Sequence, residues 1–216
     1  MSWMPAQNPE CQNQGCPHAM ETIIIPRTGD IGNFEIRRAL PSDSRRMVGP
    51  FIFFDQMGPG EFLAGQGVDV RPHPHIGLAT ITYLFDGTLD HADSLGYRQR
   101  IVPGDINLMK AGSGIVHSER TGQDNRENPS KLFGIQSWVA LPKDQEEDNC
   151  SFRQYKKDSL PVIQDDGLDV RVISGQCSGT ISPIEMPSPT LYLDVQLKAG
   201  HQWSIPPDYE ERAVYV

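Results

Sequence analysis

The sequence has 216 residues and a formal net charge of −9, with 38% hydrophobic and 22% charged residues. This composition is typical of a globular protein that buries a core in one or two domains, and the acidic balance disfavours direct binding of nucleic acid. No apolar run reaches the roughly 18 residues of a transmembrane helix, and no secretory signal is evident, so a cytoplasmic location without membrane contact is predicted.

The first segment, residues 1–20, is rich in Gln, Asn and Pro and is predicted to be a poorly ordered extension. Cys11, Cys16 and His18 lie in it and could supply part of a zinc site. Nothing elsewhere in the chain completes a set of four ligands, so the extension is the preferred interpretation. Cys150 and Cys177 are predicted to be reduced thiols.

The rest of the chain alternates between apolar and polar residues in short runs separated by Gly and Pro. With 20 glycines and 18 prolines, the composition favours short strands and turns over long helices. Strands are predicted in residues 21–29, 34–40, 48–62, 77–87, 98–112 (two strands and a turn), 114–120 and 132–141, and in "LDVRVISG", "LYLDVQLKAG" and "ERAVYV" after residue 167. The pattern predicts an all-β fold, an antiparallel sandwich or jelly roll.

Two histidine-containing pairs stand out, one just before the strand predicted at 77–87 and one within the strand predicted at 114–120. His73 and His75 are two residues apart, so in a strand their imidazoles project from the same face. His117 and Glu119 repeat this spacing. Two strands that each offer two side chains to one face can form a site of three imidazoles and one carboxylate, which suits Fe(II), Mn, Cu or Ni and leaves positions open for substrate or dioxygen.

The spacing around the first pair resembles the cupin superfamily. Gly67, His73-Pro-His75 and Gly87 match the first cupin motif, but Thr80 stands where that motif has glutamate. The histidine of the second motif is expected near position 115, whereas His117 comes slightly later and is followed by Glu119. The second strand is therefore expected to return the carboxylate that the first one lacks.

Longer stretches resemble one cupin family, the pirins, across most of residues 21–216. The stretches that carry this resemblance are "GPFIFFDQMGP", "RPHPHIGLATITYLFDG", "HADSLG", "PGDINLMKAGSGIVHSER" and "GIQSWVALP". The resemblance implies a bicupin, with a metal, usually iron, in the first barrel only. It places the metal ligands on His73, His75, His117 and Glu119.

The resemblance also implies a division of the chain. Residues 21–141 are expected to form the metal-binding cupin barrel, a double-stranded β-helix. Residues 142–167 are expected to be a connector, and residues 168–216 an incomplete second cupin barrel. By the standard of full-length pirins the sequence stops early, which favours a truncated form.

Two classes of function follow from the resemblance. Bacterial pirins resemble quercetin 2,3-dioxygenases, which open a flavonol ring with dioxygen; there Glu119 is expected to be both a metal ligand and the catalytic base. The cofactor is then one divalent ion, Fe(II) by preference, with Mn, Cu, Ni or Zn as alternatives, and the partners are a small flavonol-like aromatic compound and O2. The alternative is a non-enzymatic, redox-sensing iron protein that acts through contact with a protein partner.

Three further residues have open roles. His91, in "LDHADSLG", is expected either to support the metal site or to be exposed. Asp55 could accept a hydrogen bond from a ligand imidazole or stabilise a turn. Trp138 is predicted to belong to the core rather than to form a substrate platform.

Overall fold

The computed structural model describes residues 22–31 and 34–216, and most of the ordered elements are β-strands. The strands are β1 (Arg27–Asp30), β2 (Glu35–Leu40), β3 (Phe51–Phe62), β4 (Asp69–His75), β5 (Leu78–Gly87), β6 (Leu89–Asp93), β7 (Arg98–Ile101), β8 (Ile106–Lys110), β9 (Ile115–Arg120), β10 (Ser130–Ala140), β11 (Ser151–Tyr155), β12 (Val162–Asp165), β13 (Leu168–Ser174), β14 (Gln176–Cys177), β15 (Thr180–Ile181) and β16 (Tyr192–Leu197). One short helix, α1 (Gln123–Arg126), and a 3₁₀ turn (Lys157–Ser159) complete them. The all-β prediction is confirmed, while the predicted extension 1–20, with Cys11, Cys16 and His18, lies outside the described residues.

The first eleven strands form two antiparallel sheets. A seven-stranded sheet has the order β1-β2-β3-β10-β5-β8-β11, and a four-stranded sheet has the order β4-β9-β6-β7. From β3 to β10 the chain alternates between the two sheets, except at the hairpin β6–β7, as in a jelly roll. The two sheets enclose the space in which the candidate site lies.

Two apolar layers fill most of that space. One joins Leu84 of β5 and Leu132 of β10 to Leu89 and Ile101 of the smaller sheet. The other joins Met109 and Phe152 to Ile115. Thr80 and Thr82 lie on the same face of β5 as Leu84 because alternate residues of a strand share a face. A band of buried polar residues therefore separates the two apolar layers.

The opposite face of the seven-stranded sheet is also covered. Ala79, Ile81 and Tyr83 alternate with the threonines along β5 and pack with Ile173 and Ile184 from the C-terminal part of the chain. The Tyr83 hydroxyl donates a hydrogen bond to Asp194 at 2.8 Å. Both faces of β5 are buried, which explains why its sequence is apolar with little polar interruption.

The C-terminal part contains a three-stranded sheet, β12-β13-β16, and the ribbon β14-β15. The strand predicted for "ERAVYV" is wrong, since no strand is present between 198 and 216. Val214 and Val216 are exposed, so their apolar alternation meets no sheet. The segment instead contacts β3 through side chains: the Tyr215 hydroxyl donates to Gln56 at 2.7 Å.

Some elements differ from those predicted. Five strands were not predicted: β6, β11, β12, β14 and β15. Both β11 and β12 lie in the segment expected to be a connector, and β11 pairs with β8. The strand predicted for 21–29 is limited to β1. Gly87, the last residue of the first motif, has φ +79° and lies against the Lys131 carbonyl, where a Cβ has no room. The division at 141 and 167 stays a prediction.

Among the described residues, no helix has the length and apolar character needed to cross a membrane.

Candidate metal centre

The four-stranded sheet positions the candidate ligands by its register. β9 lies between β4 and β6. His73 on β4 is paired with His117 on β9, and Glu119 on β9 is paired with His91 on β6. Directly paired residues and residues two apart share one face of a sheet. The side chains of His73, His75, His117 and Glu119 therefore all project from the same face, as the spacing of the two pairs predicts.

The three histidines converge closely. Their donor nitrogens all lie within 4.8 Å of one another, and the Nε2 atoms of His75 and His117 are 3.1 Å apart. Two nitrogens bound at about 2.1 Å in adjacent positions of one ion lie about 3 Å apart. The donor set therefore fits a divalent ion. His75 and His117 are buried, whereas His73 is partly exposed, so the side of the site near His73 is the one nearer to solvent.

Glu119 belongs to a second, overlapping group. Its carboxylate lies within 4.8 Å of the donor nitrogens of His91 and His117, and it accepts a hydrogen bond from the Thr82 hydroxyl at 3.1 Å. His117 belongs to both groups and links them. The four predicted ligands do not form one group at this distance, and Glu119 approaches the histidines from the side of β6.

The electrostatics of these residues favour cation binding. Burial, with the neighbouring histidines, lowers the pKa of His75 to about 4 and that of His117 to about 2, so both rings are neutral at pH 7 and keep a lone pair for a metal. Burial raises the pKa of Glu119 above its ordinary value. A buried carboxylate needs positive charge close by to remain ionised, and a divalent ion would supply it.

His73 is oriented by the backbone. Its Nδ1 lies 2.8 Å from the carbonyl oxygen of Arg71. A carbonyl only accepts, so Nδ1 carries the proton and Nε2 retains the lone pair. Fixing a ligand histidine through its other ring nitrogen is a common feature of metal sites.

The residues with open roles are placed as follows. His91 is buried and stacks on Phe152 with ring centroids 4.4 Å apart. Asp55 forms a two-bond ion pair with Arg38 at 2.7 and 2.8 Å and holds β2 to β3 rather than a ligand imidazole. Trp138 stacks on Phe53 at 4.0 Å and meets the His75 ring edge-on at 4.8 Å.

Two polar residues at the site were missed. Thr82 is visible in the sequence only as an alternating strand residue, and its contact with Glu119 crosses from one sheet to the other. Asp93 shares a face with His91 two residues before it, and its carboxylate is 2.9 Å from the His91 ring. The i, i+2 spacing that identified the other pairs also applies to His91 and Asp93.

Some buried polar atoms face this interior without a protein partner in the part of the chain that the structure describes. Both amide atoms of Asn107, paired with Thr82 across β5 and β8, are of this kind, as is the Trp138 indole nitrogen. Such atoms normally bind water or a ligand. A cavity of about 480 Å³ lies elsewhere, beside Gln176 and Tyr209.

Comparison with known proteins identifies the class first. The chain is similar to quercetin 2,3-dioxygenase from Acinetobacter baumannii, with 41% identity and a TM-score of 0.75 over 80% of this chain and 56% of that one. This similarity, together with the two-sheet barrel, places the chain among the cupins.

The family follows from sequence. The Pirin family model matches residues 33–139. A pirin-like protein of Caulobacter vibrioides is 44% identical over 91% of this chain and 69% of its own length. Rat pirin is 34% identical over 79% of this chain and 56% of its own length. The chain belongs to the pirin family, and it spans little more than half the length of several relatives.

Glu119 is expected to destabilise the metal-free protein. Its pKa is raised in the folded state, whereas in the unfolded chain it ionises near 4.5. Stability is therefore lost as pH rises from 4.5 through the raised pKa. We expect Glu119→Gln, which keeps an oxygen acceptor for Thr82, to raise the free energy of unfolding at pH 8 by on the order of 1–3 kcal/mol, and by less at pH 5. Urea unfolding with a chelator present measures this, and equal effects at both pH values would contradict it.

Proposed function

We propose that this chain carries a metal-dependent dioxygenase centre that acts on a small flavonol-like aromatic compound. The observation that carries the proposal is the convergence of the His73, His75 and His117 donor nitrogens within 4.8 Å inside a cupin barrel. The similarity to a protein named quercetin 2,3-dioxygenase, at 41% identity, supports the choice of reaction. The cytoplasmic location predicted from the sequence is part of this proposal.

In this proposal the three histidines and Glu119 hold one divalent ion. The donor set of imidazoles and a carboxylate suits Fe(II), and it also accepts Mn, Ni or Cu. When bound, the ion supplies Lewis-acid and dioxygen chemistry. The residues supply its position: β4 and β9 bring the histidines together, and the Arg71 carbonyl fixes the tautomer of His73.

Glu119 has a second role in the proposal. A flavonol must lose the proton of its 3-hydroxyl group before its ring reacts with dioxygen, and a carboxylate within hydrogen-bond reach is suited to accept that proton. Glu119 is already hydrogen-bonded to Thr82 through one oxygen. The Gln136 side chain also hydrogen-bonds to this carboxylate. The carboxylate oxygens keep further lone pairs, and one of these is proposed to take the substrate proton. Burial between the two sheets keeps bulk water away from this transfer.

The remaining polar atoms suit a hydroxylated ligand. The amide of Asn107 and the indole nitrogen of Trp138 are buried without protein partners in the described ranges, and both belong to strands that carry polar interior residues. A ligand or water that hydrogen-bonds to them would offset the cost of their burial. The Trp138 ring beside His75 offers an apolar surface to an aromatic compound.

The test is an assay with quercetin. Protein loaded with Fe(II) without oxygen, then mixed with quercetin and exposed to air, is expected to bleach the near-visible flavonol absorbance and to release carbon monoxide. The metal content is measured in the same sample. A fully loaded protein that leaves quercetin and related flavonols intact would contradict the dioxygenase. It would favour the regulatory alternative, in which the same site senses the redox state of iron and a protein partner binds accordingly.

A further inference from the structure

We propose that Asp93 and His91 form a hydrogen-bond relay that fixes the tautomer of His117 and so aims its Nε2 lone pair at the metal position. The inference rests on the proposed metal site. It assigns a positioning role to two residues that do not belong to the four predicted ligands.

The relay begins at Asp93, whose side chain is fully buried. Its Oδ1 accepts hydrogen bonds from the backbone N–H groups of Leu95 at 2.9 Å and Tyr97 at 3.1 Å. Its Oδ2 lies 2.9 Å from Nε2 of His91. Each carboxylate oxygen therefore has a different, fixed task. The turn after β6 holds one oxygen, and the other is presented to the histidine.

The carboxylate determines the tautomer of His91. Ionised Asp93 can only accept, so Nε2 of His91 carries the proton, and in the neutral ring Nδ1 has the lone pair. That Nδ1 atom lies 3.4 Å from Nδ1 of His117. Since His91 accepts there, the proton lies on Nδ1 of His117, and Nε2 of His117 is left with its lone pair.

The direction of that lone pair matches the candidate site. Nε2 of His117 is the atom that lies 3.1 Å from Nε2 of His75. The relay therefore does for His117 what the Arg71 carbonyl does for His73, since in both cases an acceptor on Nδ1 frees Nε2. Stacking of His91 on Phe152 holds the middle of the relay in place.

Because the two Asp93 oxygens have different partners, the variant Asp93→Asn tests the relay directly. Two backbone donors meet at Oδ1, so the asparagine oxygen must occupy that position and the NH2 group must face His91. The amide then donates to Nε2 of His91, which forces the proton of His91 onto Nδ1. That proton is donated to His117, whose own proton moves to Nε2 and blocks the metal position. An almost isosteric change thus reverses the relay.

The first experiment reads the tautomer in the metal-free full chain by long-range ¹H–¹⁵N correlation of the imidazoles. We expect the Nδ1–H form of His117 in the wild type and the Nε2–H form in Asp93→Asn. Asp90→Asn, an isosteric change on the outward face of the same strand, is the matched control and should leave His117 unchanged. An Nε2–H form in the wild type, or no change in Asp93→Asn, would overturn the relay.

The second experiment titrates the same proteins with Co(II), followed by visible absorption. Asp93→Asn is expected to bind about 10–100-fold more weakly than the wild type, and Asp90→Asn with equal affinity. His91→Phe keeps a ring on Phe152 but removes the acceptor, so it should also weaken binding and leave His117 as a mixture of tautomers. If Asp93→Asn fails to fold, His91→Phe becomes the deciding variant. A His117 ring that keeps its single Nδ1–H tautomer in His91→Phe, with unchanged Co(II) affinity, would overturn the relay. A wild type that binds no Co(II) would contradict the metal site, whereas the spectra of the metal-free chain still test the relay.

Discussion

Replacing His117 by glutamine is expected to reduce the metal bound by the refilled protein from about one equivalent to less than about a tenth of one. His117 is the residue that both donor groups share, and its buried ring sits at the centre of the sheet opposite His73. Glutamine removes the imidazole nitrogen while keeping a polar side chain of similar length. The effect should therefore exceed that of His73→Gln, since His73 lies at the more exposed side of the site.

The measurement is elemental analysis after anaerobic refilling with Fe(II) and removal of unbound metal. His201→Gln is the control, because His201 is exposed and lies in the C-terminal part, in neither donor group. It should bind as much metal as the wild type. If His117→Gln kept about one equivalent of iron with unchanged affinity, the ion would be held by residues other than His117.

Replacing Glu119 by glutamine is expected to lower flavonol turnover per bound metal by about 10²–10⁴-fold, the contribution typical of a general base. The amide still accepts from Thr82 but does not take up the substrate proton. Because Glu119 is also a proposed ligand, the metal content of each sample must be measured alongside the rate. Dividing the rate by the bound metal separates the loss of proton transfer from the loss of the ion.

The control for this variant is Glu61→Gln. Glu61 lies at the end of β3, where its side chain is 78% exposed in an ion pair with Lys131, so the substitution removes the same charge far from the histidines. Turnover per metal should be unchanged. If Glu119→Gln turned over quercetin as fast per bound metal as the wild type, Glu119 would be at most a ligand, and another group would have to accept the proton.

Much of the first barrel follows from local patterns. The alternation along β5 and the Gly and Pro residues between strands predicted most strand positions before β11. The paired spacing of His73 with His75 and of His117 with Glu119 predicted which side chains share a face. These predictions succeed because strand periodicity depends on neighbouring residues. Whether one or both faces of a strand are buried determines which of its own residues are apolar.

The parts that could not be predicted depend on which strands become neighbours. Nothing local states that β6 lies beside β9, so the approach of His91 and Asp93 to His117 is invisible until the register is known. The contact between Thr82 and Glu119 joins two sheets in the same way. The error at 211–216 has the complementary cause: "ERAVYV" has the residues of a strand, but a strand requires a partner, and the described sheets provide none there.

The most direct test of the metal centre is the iron content of the wild-type chain after anaerobic refilling with Fe(II). With His73, His75, His117 and Glu119 as ligands, we predict about one equivalent per chain that survives removal of unbound metal. Binding should also raise the unfolding temperature, because the ion binds the folded barrel and not the unfolded chain. A refilled protein that retains no iron, and no Mn, Ni, Co or Cu in parallel samples, would contradict the metal centre and with it the proposed dioxygenase.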